Sequence, residues 1–120
     1  MKVWTFQMGQ RFALDKVGIL WFDTTVKSGP CIQVKPTWAM VLGHKRGVLS
    51  DEEYTAQYYQ ILEHSFLSDP GFWKELMCQD VIALGCYCKK GVFCHRHLLV
   101  KFLQRHTTVE LLGEFDAKAG

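Results

Sequence analysis

Two stretches of the chain, Gly18–Thr24 (GILWFDT) and Asp80–Cys88 (DVIALGCYC), are apolar at consecutive positions, not at alternate ones. Such runs suit strands covered on both faces, as in a parallel sheet with helices above and below, and a one-sided antiparallel sheet would alternate instead. Helical patterns surround both runs. Strands separated by helices require crossover connections, which lead to a mainly parallel sheet.

Lys2–Gln7 (KVWTFQ) reads as a first strand, Gly9–Lys16 as a short helix and Gly18–Thr24 as a second strand. Thr25–Lys35, with Ser28-Gly29-Pro30, reads as a loop. Pro36 suits the first position of a helix. Ser50-Asp51-Glu52-Glu53 spells a capping box. The helix behind it should run to about Leu67 and bury Tyr54, Tyr58, Ile61, Leu62 and Ser65. Phe72–Cys78 reads as a short helix after the Asp69-Pro70-Gly71 break. A helix from Cys94 or His95 to about Arg105 and a strand over Thr107–Phe115 complete the order. The expectation is one α/β domain over residues 1–120. It should be a small three-layer sandwich of Rossmann-like or flavodoxin-like type, with about four mainly parallel strands. Ligands in such sheets sit beyond the carboxyl ends of the strands.

Composition narrows the function. At 120 residues with 48% hydrophobic and 22% charged residues the chain is globular and not disordered. A net charge of +2 argues against coating nucleic acid by bulk charge. No apolar run reaches membrane-spanning length, and the opening MKVWTFQMGQRF lacks the pattern of an export signal, so no membrane partner is expected. Five cysteines, Cys31, Cys78, Cys86, Cys88 and Cys94, are an odd number that reads as reduced thiols in a cytoplasm. The aromatic content and an exposed Phe72-Trp73 pair raise a homodimer as one option.

The segment Cys86-Tyr87-Cys88-Lys89-Lys90-Gly91-Val92-Phe93-Cys94-His95-Arg96-His97 joins a buried strand to a helix. Unpaired N–H groups and the helix dipole make such a place an anion site, with phosphate as the expected anion. Lys89, Lys90 and Arg96 would contact it, and Gly91 would let the backbone come close. Helical phase puts His95 in the crevice as acid or base, and His97 in solvent. Cys94 at the helix start, beside basic groups, should have a lowered thiol pKa and serve as nucleophile or cap. Asp23 should act as base or as partner of Arg96, and the plainer alternative is that His95 and Arg96 only cap carbonyls and pair with Asp23 or Glu114. Thr24, Thr25, Lys27 and Ser28 offer hydroxyls and a charge to a phosphate or sugar, although the hydroxyls alone read as an Asx or Ser/Thr turn. Trp38 reads as core, with stacking on a base as its alternative, and Gly43-His44-Lys45-Arg46-Gly47 as a basic helix end that could also contact phosphate. No resident cofactor is expected. The alternative is zinc on Cys86, Cys88, Cys94 and a histidine, His97 or His95, although a Cys-x-Cys pair within a strand is poor ligand spacing.

Leu84-Gly85-Cys86-Tyr87-Cys88, followed by Gly91-Val92-Phe93-Cys94-His95-Arg96-His97-Leu98-Leu99, resembles the bacterial and phage family known as domain of unknown function 488. Asp23–Gly29 and the Tyr54–Tyr58 helix resemble a subgroup of it. The resemblance implies a small α/β domain with Cys94, His95 and Arg96 at its functional edge. Many members carry one cysteine and an acidic residue in place of the Cys86/Cys88 pair. It also implies association with nucleotides or nucleic acid. The expected function is therefore a nucleotide- or nucleic-acid-associated protein with a phosphate site at Cys86–Arg96, which leaves open whether it is an enzyme. The alternatives are a non-catalytic phage anti-defence protein that captures a nucleotide signal or a host protein, and a zinc-stabilised nucleic-acid accessory domain.

Overall fold

The computed structural model describes residues 1–89 and 92–117. The order is β1 (Lys2–Gln7), α1 (Arg11–Lys16), β2 (Leu20–Asp23), α2 (Trp38–Lys45), α3 (Asp51–Ser68), α4 (Pro70–Met77), β3 (Val81–Cys86), α5 (His95–His106) and β4 (Glu110–Glu114). The four strands form one all-parallel sheet in the order β2-β3-β1-β4. This is the expected Rossmann-like sandwich.

The winding sets the layers. From β1 the chain crosses to β2 in one direction, and it then returns to β3 and on to β4 in the other. Crossovers of one hand that run in opposite directions must lie on opposite faces. Accordingly α3, α4 and α5 cover one face with a large core that includes Tyr58, Leu62, Trp73, Ile82, Leu99 and Phe102. The other face has a small core of Phe6, Met8, Leu14 and Ala83, with α1 and the partly buried Trp4, Trp21 and Phe115 over it. Gly85 in β3 is required there, because a Cβ would lie 2.3 Å from the buried Phe6 ring.

Local signals explain most boundaries. Ser50 and Glu53 form both halves of the capping box that starts α3. Its buried stripe is Tyr54, Tyr58, Leu62 and Ser65. Two expectations are corrected. Pro36 precedes the α2 cap, and Thr37 caps it by accepting from the Met40 N–H at 3.2 Å. Phe72-Trp73 is no exposed pair: Trp73 is buried and donates from Nε1 to Ser65 Oγ at 2.9 Å. Among the described residues no helix is long and apolar enough to cross a membrane.

Candidate functional site

A cleft of about 550 Å³ opens beyond the carboxyl ends of β2 and β3, against the start of α5. Its wall is aromatic, formed by Trp38, Tyr54, Tyr87 and Phe93. Trp38 is 51% exposed, so it is a wall residue and not the core residue expected. His44 stacks on Phe93 at 4.9 Å and is held by Asp51. Lys27, Lys45 and Lys89 stand on the lining with exposed side chains.

The thiols of Cys86, Cys88 and Cys94 converge in the cleft lining, their sulfurs all within 4.8 Å of one another. This follows from where the strand stops. β3 ends at Cys86, and the chain bends at Tyr87 and Cys88, so the Cys-x-Cys pair is no longer extended. Cys94, at the residue preceding α5, supplies the third sulfur. A trio of thiols with this spacing could hold a metal ion. Among the described residues no histidine or carboxylate joins the trio at that distance, so neither His95 nor His97 completes the expected set of four.

Negative charge in the trio settles on Cys88. Hydrogen bonds from Cys86 and then Cys94 hold its thiol far below the ordinary range, with His95 and Arg96 adding attraction. Cys86 is pushed up to about 11, foremost by its bond to Cys88. Cys94 is driven well above the ordinary value by its bonds to Cys86 and Cys88 and by burial. The lowered thiol expected at Cys94 is therefore found at Cys88, which is also the less buried of the two.

His95 is buried, and its Nε2 lies 2.8 Å from the carbonyl oxygen of Thr24. A carbonyl only accepts, so Nε2 carries the proton and Nδ1 is left as an acceptor facing Cys94 Sγ at 3.7 Å. Burial lowers its pKa to about 4, so the ring is neutral near pH 7. His97 is half-buried, not fully in solvent.

Arg96 is fully buried and all five of its N–H donors are engaged. Nε and Nη2 grip Glu114 at 3.3 and 2.9 Å. Nη1 donates to Cys86 Sγ at 2.6 Å and to the Cys88 carbonyl at 3.0 Å, and Nη2 also reaches the Lys89 carbonyl at 3.4 Å. Arg96 thus meets Glu114 and not Asp23, and it offers no spare donor to a phosphate. A bulge makes this pairing. The β1–β4 register slips between Val3 and Trp4, so that Leu112 is passed over and Thr5 faces Glu114. Gly113 supplies the backbone turn with φ +107°. The slip turns Glu114 to the α5 face, where Thr5 Oγ1 also donates to it at 2.6 Å.

The Asp23 loop closes on itself. Asp23 accepts from Thr25 N–H, Thr25 Oγ1 and Ser28 Oγ. Thr24 Oγ1 donates to the Gly85 carbonyl. The hydroxyls of Thr24, Thr25 and Ser28 therefore build the loop, as the turn reading had it, and Thr25, Val26 and Lys27 line the cleft. Asp23 Oδ1 takes the two bonds from Thr25, and Oδ2 takes the one from Ser28. Lys90 and Gly91 lie outside the described residues. Of the aromatic wall only Trp38 carries a stacking alternative in the sequence, although Phe93 beside Cys94 and Tyr87 between two cysteines are signals that the motif itself lines a cavity.

No curated protein and no solved structure matches the chain. Residues 20–107, which carry the cleft and the thiol cluster, match the family described as DUF488-N3a, the active DUF488-N3 subclade, and the chain belongs to that family.

Proposed function

We propose that the protein binds a nucleotide in the cleft, with the base against the aromatic wall and the phosphate on the lysines. The observation that carries this is the cleft's composition. Trp38 and Tyr87 offer exposed ring faces, and Lys27, Lys45 and Lys89 stand beside them, in a cavity within the usual size range for small-molecule sites. Arg96 spends its donors on Glu114, Cys86 and two carbonyls, so the phosphate belongs on the lysines and not on Arg96. If the site turns its ligand over, the nucleophile is the Cys88 thiolate and not Cys94.

Calorimetry with a panel of ribonucleoside and deoxyribonucleoside monophosphates tests this, with nucleosides and inorganic phosphate as part-ligand controls. At least one nucleotide should bind more tightly than either of its parts. Trp38→Ala and Lys89→Glu should each weaken it about tenfold, the loss of one stacking or charge contact of about 1.4 kcal/mol. A panel that shows no binding up to millimolar concentration refutes the reading. An unchanged nucleotide after prolonged incubation would mark a capture protein of phage anti-defence type, whereas a product whose formation needs Cys88 would mark an enzyme.

A second reading has its own observation. The convergence of three sulfurs favours zinc on Cys86, Cys88 and Cys94, a soft donor set that suits this ion.

A further inference from the structure

We propose that Cys86, Cys88 and Cys94 bind one Zn2+ with its fourth coordination position open to the cleft, where it takes water or the anionic group of the cleft's ligand. This rests on the zinc reading and goes beyond it, since a zinc that only stabilises the fold would be closed by a fourth protein ligand.

Four features of the trio point this way. The sulfurs lie within 4.8 Å of one another, and Zn–S bonds of about 2.3 Å at tetrahedral angles need them about 3.8 Å apart, a small inward movement. Cys86 ends β3 and Cys94 takes the cap position of α5, two anchored elements, and Cys88 follows in the bend after β3, so two of the three donors are fixed before an ion arrives. The donor set stops at three among the described residues. His95, the nearest histidine in sequence, spends Nε2 on Thr24, and although its Nδ1 lies 3.7 Å from Cys94 Sγ it is not among the donors that converge mutually with all three sulfurs.

The direction of the vacancy is the fourth feature. All three cysteines line the cleft. On the protein side, Arg96 Nη1 already occupies Cys86 Sγ. A hydrogen bond of this kind to a ligating sulfur orients it and offsets part of the excess thiolate charge. The cleft that the trio lines also carries Lys27, Lys45 and Lys89 on its lining, and it suits an anion. Three thiolates around a dication leave one net negative charge, so these lysines also oppose the repulsion that a phosphate would otherwise meet.

Cobalt(II) substitution tests the inference on the full chain, reduced and treated with chelator. One Co2+ per chain should bind with a sulfur-to-cobalt charge-transfer band. Zn2+ should displace it, and Cys88→Ser and Cys94→Ser should lose the band while Cys78→Ser, far from the cleft, keeps it. Azide added to the cobalt form should then shift the visible d–d bands, because it enters the open position. This last step uses the unaltered chain and does not depend on how well a variant folds. Absence of cobalt uptake overturns the inference together with the zinc reading. Uptake with d–d bands blind to azide overturns the open position alone and leaves a closed zinc site. Nucleotide binding, measured separately by calorimetry on the metal-free chain, stands or falls independently of both.

Discussion

Glu114→Gln should destabilise the protein severely, although it changes one atom in shape. Arg96 has no exposed surface, and the Glu114 side chain is 10% exposed, so the pair sits in a low-dielectric setting. The carboxylate takes two of the five guanidinium donors and the Thr5 hydroxyl as well. The amide keeps one acceptor oxygen, turns an NH2 group toward Arg96 and removes the charge that balanced it. Breaking one side of such a buried pair costs about 3–5 kcal/mol, most of it the penalty of the charge left behind. For a domain of ordinary stability this is a large share of the total. Urea unfolding followed by tryptophan fluorescence should show a midpoint lower by about 2–3 M at an m-value of about 1.5 kcal/mol/M. The sign should reverse in an Arg96→Met background, where Glu114 is itself the unpaired charge and its conversion to Gln relieves the strain. A cost below about 1 kcal/mol, or an equal cost in both backgrounds, would show that the thiol cluster and not Glu114 balances Arg96.

His95 predicts an acid-side loss of stability. Its folded pKa of about 4 lies below its ordinary 6.5, so the unfolded chain takes up the proton first. The stability tied to the neutral ring is fully present above pH 6.5 and falls as the pH drops toward 4, by up to about 3 kcal/mol, and His95→Gln should flatten that part of a urea-midpoint profile. In the metal-free chain Cys88 should be the cluster's first site of iodoacetamide alkylation, at a rate that barely changes between pH 6 and 8, and peptide mass mapping should show Cys86 and Cys94 lagging. A strong rise in the Cys88 rate over that range would place the thiolate elsewhere. Gly85→Ala should cost about 3 kcal/mol by driving a methyl into the Phe6 ring, and Phe6→Leu in the same chain should return part of it, both read as shifts in the thermal midpoint.

What could be read from the sequence, and what could not, divides by the range of the forces involved. The α3 capping box, the consecutive apolar run of β3 and the α5 start after Cys94 are each set by residues within a few positions of one another, and each stands where local patterning put it. The choice between Asp23 and Glu114 as the partner of Arg96 depends on a single-residue slip between β1 and β4, more than a hundred residues apart in sequence, and nothing near Arg96 encodes it. The exposure of Trp38 depends on what fails to cover it, which α2 alone does not determine. The helix start shows both ranges at once. Local sequence marks the first turn of α5 as a place that attracts negative charge, and an external phosphate was the natural occupant to expect. The end of β3 at Cys86 changes the occupant, because the bend that follows carries Cys88 back against Cys86 and Cys94, whose bonds lower its thiol, while Arg96 donates to Cys86 Sγ and to the Cys88 carbonyl. The positive potential was therefore legible, whereas its user was not. An internal partner displaces an external one wherever the chain can bring its own acceptors to the helix without the entropic cost of capturing a ligand, and here Glu114, Cys86 Sγ and two carbonyls take the donors of Arg96 that a phosphate would have used.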